Sequence, residues 1–154
     1  MKKYKHSYSI IYEDEHLIAV NKAAGLLAVP IPDSRAINAL ELVAEYLAPK
    51  KQKAMIVHRI DRYTSGIILF AKKYEARQNL IEQFLAHSPT RIYLALVRGH
   101  IHPDSGELRH CVKLTKQGFR QVVVQKKLAN TKMAVLEYNC LEYLRDASLL
   151  KLVS

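Results

Sequence analysis

The stretch from His58 to Ala71 reads HRIDRYTSGIILFA and joins a charged half to an apolar half. Residues 67–71 form a short continuous apolar run, which is typical of a buried β-strand. Residues 55–57 are a second short strand candidate just before the stretch. Between them, residues 64–66 (Thr-Ser-Gly) favour a tight turn held by local side-chain hydrogen bonds. The stretch therefore predicts two strands connected by a segment that carries Asp61.

Strand-like patterns dominate the rest of the chain. Two short β-rich runs, residues 9–12 and 17–20, are separated by an acidic connection and predict a hairpin. The loop that follows, residues 22–34, contains a glycine and two prolines, which exclude regular structure there. Further strands are predicted at residues 91–98, 107–114, 119–125, 131–141 and 149–153. Many strands, few helices and hairpin-length connections predict an α+β fold with a mixed, largely antiparallel sheet and flanking helices.

Two helices are predicted, at residues 36–47 and at about residues 74–87. We expect Asp33 or Ser34 to cap the first helix and Pro49 to mark its end. The core-facing positions follow from helical spacing; they are Ile37, Leu40, Ala44 and Leu47 in the first helix, and Ala76, Leu80, Ile81, Phe84 and Leu85 in the second.

Composition places limits on the class of protein. The chain has 154 residues, which is one ordinary domain or most of one, and its net charge of +10 favours a polyanionic partner such as RNA. The positive charge concentrates at residues 50–53, at residues 72–73, and from Lys113 to Lys127. No apolar run reaches the roughly 18 residues of a membrane span, and no secretory signal is visible. With only two isolated cysteines, we expect a reduced, cytoplasmic protein without a disulfide framework.

Asp61 is the residue on which a chemical interpretation depends. It is bracketed by His58, Arg59 and Arg62, and nearby positive charge keeps a carboxylate ionised. An ionised carboxylate in a basic cleft is a ready base or nucleophile. From the residues alone, the alternative is that Asp61 pairs with one of the arginines only to hold a turn, because ion-pair networks are common.

A resemblance to a known family bears on this choice. Residues 58–72 resemble the signature of RluA-type pseudouridine synthases, His-Arg-Leu-Asp, two variable residues, Thr-Ser-Gly and an aliphatic strand ending in Ala-Lys, with Ile60 in place of the usual leucine. Three further segments resemble family motifs in the right order: IYEDEHLIAVNKAAGL at residues 11–26, RIYLALVRG at residues 91–99, and ANTK at residues 129–132. In the first of these, alanine stands at position 23 where proline is usual.

The resemblance implies a role for each matched residue. Asp61 is expected to be the catalytic aspartate, and Arg59 to take the space vacated when the target uridine is flipped out of the RNA. Tyr93 is expected to stack on the flipped base, and Arg62 to contact phosphate. The implied reaction converts uridine to pseudouridine in rRNA or tRNA and needs neither a metal nor another cofactor. A monomer is the expected state, although no motif addresses oligomerisation.

Two departures and two alternatives accompany this interpretation. The family continues into an arginine-containing motif that the chain does not reach, so residues 1–154 are expected to be the N-terminal portion of one catalytic domain, without the S4 domain of many relatives.

The first alternative is a catalytically inactive basic RNA-binding module. The second is a metal-dependent nuclease that uses Asp61 with histidines, such as His100 and His102, whose spacing is not that of a standard zinc site.

Overall fold

The computed structural model describes residues 7–32, 34–115, 121–125 and 130–154 of the chain. They form two compact units, Met1–Pro89 and Thr90–Ser154. Each unit carries its own antiparallel sheet, and the α-helices of the described residues belong to the first unit. The predicted α+β class, with a largely antiparallel strand arrangement, is confirmed.

The first unit contains a four-stranded sheet. Its strands are, in chain order, β1 Tyr8–Glu13, β2 Leu17–Lys22, β3 Met55–Ile56 and β4 Gly66–Ala71. Their spatial order is β1-β2-β4-β3, and every neighbouring pair is antiparallel. Between β2 and β4, Lys22 lies opposite Gly66 and Leu17 lies opposite Ala71. The loop that carries Asp61 therefore enters the sheet at the Lys22 end of β2.

The core of this unit lies between the sheet and helix α1, Ala39–Leu47. Nine buried apolar side chains form it: Ile18, Val20, Leu26, Ala28, Ala39, Val43, Leu47, Ile68 and Phe70. Leu26 and Ala28 come from the loop between β2 and α1. Burial of these apolar side chains contributes to holding the loop in place.

The start of α1 differs from the prediction. Asn38 caps the helix: its backbone is extended, with φ −136°, and its side-chain oxygen accepts a 3.0 Å hydrogen bond from the backbone N–H of Glu41. The hydroxyl of Ser34 instead accepts a hydrogen bond from the N–H of Ala36, and Asp33 lies outside the described residues. The predicted cap was wrong because Asn38 lies next to the first helical turn and satisfies its free N–H group.

The core-facing side of α1 was predicted in part. Leu47 is buried, and Leu40 packs against the core, as does Ile37 just before the helix. The fully buried positions Ala39 and Val43 were missed. The helix is apolar around much of its circumference, so that helical spacing alone did not select one face.

Helix α2, Tyr74–Leu85, packs against β3 and β4 and ends two residues before the predicted boundary. Leu85, which was assigned to its apolar face, is 74% exposed, so that assignment was wrong. The side chain of Arg77 ties the helix to β3 through a 3.1 Å hydrogen bond from Nε to the carbonyl of Ile56.

The second unit contains a five-stranded antiparallel sheet. Its strands are, in chain order, β5 Ile92–Arg98, β6 Ser105–Leu114, β7 Gln121–Val124, β8 Thr131–Tyr143 and β9 Ala147–Val153. Their spatial order is β5-β9-β8-β6-β7. Each strand overlaps a predicted one, although residues 119–120 of the strand predicted at residues 119–125 lie outside the described residues. Cys111 and Cys140 are free and half-buried, and none of the described helices has the length and apolar character needed to cross a bilayer.

Candidate active site

Asp61 lies in the loop between β3 and β4, on the surface of the first unit. Its backbone carbonyl accepts a 3.2 Å hydrogen bond from the N–H of Thr64, which closes a turn at residues 61–64. Gly66 then joins the loop to β4 with φ +125°, a backbone conformation that residues with a Cβ rarely adopt. The turn and the glycine leave the Asp61 carboxylate exposed to solvent.

Lys22 is the residue of this region that the sequence analysis missed. It is 0% exposed, at the end of β2 and on the same face as Ile18 and Val20. Its ammonium nitrogen donates to three backbone carbonyls, those of Ala23 at 3.1 Å, Leu26 at 2.7 Å and Arg62 at 3.0 Å. The two-residue alternation of β2 was the available signal, because it assigns Lys22 to the core side of the strand.

The charge of Lys22 is coupled to that of Asp61. Burial lowers the pKa of Lys22, while the negative charge of Asp61 acts in the opposite direction and raises it. The Lys22 ammonium therefore places a buried positive charge near Asp61, while its hydrogen bonds go to backbone carbonyls.

Two further hydrogen bonds fasten the Asp61 loop to the loop after β2. The backbone N–H of Gly25 donates to the carbonyl of Arg62 at 2.8 Å, and Nε of Arg62 donates to the carbonyl of Gly25 at 2.9 Å. The Arg62 carbonyl thus accepts from both Gly25 and Lys22. Part of the Arg62 guanidinium is engaged with protein, while its phosphate contact remains a prediction.

His58 has a supporting position at the start of the loop. Its Nε2 accepts a 3.1 Å hydrogen bond from the backbone N–H of Leu69, so this nitrogen carries no proton. Its ring stacks on Phe84 of α2, with ring centroids 4.4 Å apart and planes 18° from parallel. His58 therefore links the Asp61 loop to β4 and α2.

Arg59 and Tyr63 stand on either side of Asp61 and both are exposed. Tyr63 is 77% exposed, and the guanidinium carbon of Arg62 lies over its ring, 5.5 Å from the centroid. Between them, Ile60 points inward and is buried. The buried Ile60 side chain and the fastened Arg62 backbone hold the loop on both sides of Asp61.

Tyr93, the other predicted site residue, lies on β5 in the second unit and is half-buried. Residues directly opposite in an antiparallel pair share a face, so Tyr93 lies in a row with Leu152 and Tyr138. The row ends at Gly106, where an added Cβ would stand 2.8 Å from the Tyr138 hydroxyl. The described structure thus brings Arg59, Asp61 and Arg62 together in one loop and places Tyr93 on a sheet face of its own unit.

The basic clusters that suggested a polyanionic partner are partly neutralised within the protein. Lys50 and Lys72 both bind the carboxylate of Glu13 at 2.9 Å, and Lys73 binds Glu15 at 3.2 Å. Hydrogen bonds from Lys72 and then from Lys50 lower the pKa of Glu13 to about 2. The third cluster, from Lys113 to Lys127, falls partly on residues outside the described ranges.

Comparisons with known proteins show which proteins the chain resembles. The family described as RNA pseudouridylate synthase matches residues 16–153. The chain is 41% identical over 99 residues to a dual-specificity RNA pseudouridine synthase RluA of Vibrio vulnificus, which covers 63% of this chain and 38% of that protein. It is 36% identical over 155 residues to a ribosomal large subunit pseudouridine synthase D of Zymomonas mobilis, covering 92% of this chain and 46% of that protein.

Solved structures show the same fold. Human RNA Pseudouridylate Synthase Domain Containing 4 superimposes with a TM-score of 0.75 at 21% identity, over 94% of this chain and 58% of that one. The chain spans less than half the length of the two curated relatives described above. The fold and the family match together place the chain among proteins with the pseudouridylate synthase fold. The chain belongs to the RNA pseudouridylate synthase family, in its RluA-type branch.

Proposed function

We propose that this chain is part of an enzyme that converts uridine to pseudouridine in a structured RNA, with Asp61 as its catalytic carboxylate. The observation that carries the proposal is the position of Asp61: exposed, yet fixed in a loop that Lys22 and Gly25 fasten at Arg62. A loop backbone that is held in place before substrate arrives leaves less freedom to be lost in the reaction, which favours catalysis.

The reaction is an isomerisation: substrate and product contain the same atoms and are at the same oxidation level. The bond between N1 of the base and C1′ of the ribose breaks, the base rotates, and a bond forms between C5 and C1′. C5 loses a proton and N1 gains one, so no oxidant or reductant is consumed. Asp61 serves either as a nucleophile that adds to the sugar or base, or as a base at C2′.

In this proposal Arg59 fills the position that the flipped base leaves, and Tyr93 binds the flipped base. A uridine in a helix or folded loop must leave its stack before its glycosidic bond can be reached. The exposed, planar Arg59 guanidinium suits the vacated position, and the aromatic ring of Tyr93 suits the face of the extruded base. Arg62 then contributes a phosphate contact through the nitrogens that Gly25 does not engage.

We propose rRNA or tRNA as the substrate class. Two observations support it: relatives named for ribosomal large subunit and for tRNA modification, and a net charge of +10. The family match runs without interruption through both compact units, which supports assigning both to one catalytic domain.

The test uses tRNA and large-subunit rRNA transcripts that carry uridine tritiated at C5. Pseudouridine formation releases this tritium to water, so we expect release by the full-length protein that contains this chain and none above background by its Asp61→Asn variant. Glu75→Gln, which removes an exposed carboxylate from α2, is the matched control and is expected to keep full activity. Tritium release by Asp61→Asn at the wild-type rate would refute the assigned role.

The same transcripts distinguish the non-catalytic alternative. If the full-length protein that contains this chain binds both RNAs but releases no tritium from either, it is an RNA-binding module and the proposed activity is wrong. RNA affinity is measured in parallel by filter binding, with circular dichroism to verify that each variant is folded.

A further inference from the structure

Tyr63 is the most exposed large apolar or aromatic side chain among the described residues, at 77%. It follows Asp61 by two residues, and the chain can span only about 7 Å over that distance. Its ring lies against the Arg62 guanidinium, and most of the side chain is exposed to solvent. An aromatic ring so exposed, and so close to a candidate catalytic group, suits a ligand with a flat face.

The loop holds this ring in a defined position. The residue before it, Arg62, is fixed through its carbonyl by Lys22 and Gly25, and the residue after it, Thr64, donates to the Asp61 carbonyl. The Arg62 side chain is fastened in turn at Gly25 and covers one face of the ring. One face of Tyr63 is therefore braced by a cation, and the other is open to solvent.

The surroundings favour a nucleobase over an apolar protein partner. Arg59 and Arg62, both exposed, flank the position, and arginines beside an aromatic ring are typical of surfaces that bind unpaired nucleotides. When a uridine is extruded, the bases next to it lose a stacking partner and need a new one. An aromatic ring beside the catalytic carboxylate can replace that partner.

We propose that the open face of Tyr63 stacks on the base of an unpaired nucleotide adjacent to the target uridine. This proposal rests on the proposed function for its placement next to the target. It assigns Tyr63 to substrate binding, and therefore to selection of unpaired RNA around the site, with no part in bond making or breaking.

The test measures binding, which does not require turnover. The probes are a fluorescein-labelled RNA stem-loop with one uridine in a seven-nucleotide loop, and the same RNA with the bases on both sides of that uridine removed. The proteins are wild type, Tyr63→Ala and Tyr63→Phe, with Tyr74→Ala as the control. Tyr74 is also an exposed tyrosine of the first unit. It begins α2 just after Ala71, the last residue of β4, whereas the Asp61 loop joins β4 at its first residue, Gly66.

We expect Tyr63→Ala to weaken binding of the intact stem-loop by about 5- to 150-fold, the range expected for one base–aromatic stack. Tyr63→Phe keeps the ring and is expected to bind within about twofold of wild type. On the RNA that lacks the flanking bases, Tyr63→Ala and wild type are expected to bind equally. Tyr74→Ala is expected to match wild type on both probes.

Three results would overturn the proposal: unchanged affinity in Tyr63→Ala, equal impairment in Tyr63→Phe, or the same loss on both probes. If Tyr63 instead packs against protein, Tyr63→Ala lowers the melting temperature and leaves RNA affinity unchanged. The tritium-release assay reports separately on the proposed function. A full-length protein that binds the stem-loop through Tyr63 but releases no tritium would refute the enzyme activity and retain the stacking contact.

Discussion

The ammonium nitrogen of Lys22 donates a 3.0 Å hydrogen bond to the backbone carbonyl of Arg62, the residue that follows Asp61. This bond connects the end of β2 to a loop 40 residues further along the chain. The same ammonium also donates to the carbonyls of Ala23 and Leu26, so a single buried cation joins the loop after β2 to the loop that carries Asp61. The position of the candidate catalytic carboxylate thus depends on a residue to which the sequence analysis assigned no role.

Lys22→Met tests this dependence. The variant leaves buried carbonyls without a donor, and we expect the free energy of unfolding to fall by about 2–3 kcal/mol. Urea denaturation measures the change. Lys73→Met, which removes an exposed lysine paired with Glu15, is the control and should unfold as wild type does. Equal stability of Lys22→Met and wild type would contradict the assigned role of Lys22.

Glu13 should make the first unit sensitive to acid. Lys72 and Lys50 lower the pKa of this carboxyl from 4.5 to about 2 in the folded protein. A lowered pKa stabilises the fold above pH 4.5, and the stabilisation is lost as the pH falls toward 2.

Glu13→Gln isolates this contribution. At pH 7 we expect the variant to be less stable than wild type by about 1–2 kcal/mol, since both lysines lose their charged partner. The difference should shrink as the pH falls from about 4.5 to about 2, because the wild-type carboxyl is then protonated. Urea denaturation at a series of pH values measures it; a difference independent of pH would show that the ion pairs do not contribute.

Gly66 is the backbone hinge between the Asp61 loop and β4. At φ +125° an alanine is strained even though its Cβ meets no neighbouring atom, so Gly66→Ala is expected to cost about 1–3 kcal/mol. Thermal or urea unfolding measures the loss, with the adjacent exposed Ser65→Ala as the control. A Gly66→Ala variant as stable as wild type would mean that the loop relaxes without strain.

Arg59 should affect turnover more than RNA affinity if it fills the space left by the flipped uridine. Replacing it by alanine removes compensation for unstacking, and we expect kcat to fall by about 10- to 100-fold. The exposed Arg35→Ala serves as the matched control for loss of one positive charge. If Arg59→Ala only raises KM and reduces the salt dependence of binding, Arg59 contacts phosphate instead.

Much of the fold was readable from local patterns. The strands came from short apolar and alternating runs, and helix α2 from its spacing, since these patterns reflect contacts close in sequence. Helix α1 was predicted at residues 36–47 but begins only at Ala39, after its cap at Asn38. Its buried Ala39 and Val43 were not singled out, because several faces of that helix are apolar. Leu85 was wrongly assigned to the apolar face of α2, because helical spacing does not show where along a helix its contact with the rest of the protein ends.

By itself, the sequence determined the family, the order of its motifs and the grouping of Arg59, Asp61 and Arg62, because neighbours in the chain remain neighbours in any fold. Only the tertiary structure decided which charges are engaged. Lys72 and Glu13 are 59 residues apart, and Lys22 and Arg62 are 40 apart, yet each pair is in direct contact. Burial of apolar residues brings such distant segments together, and the polar groups enclosed with them must then satisfy one another.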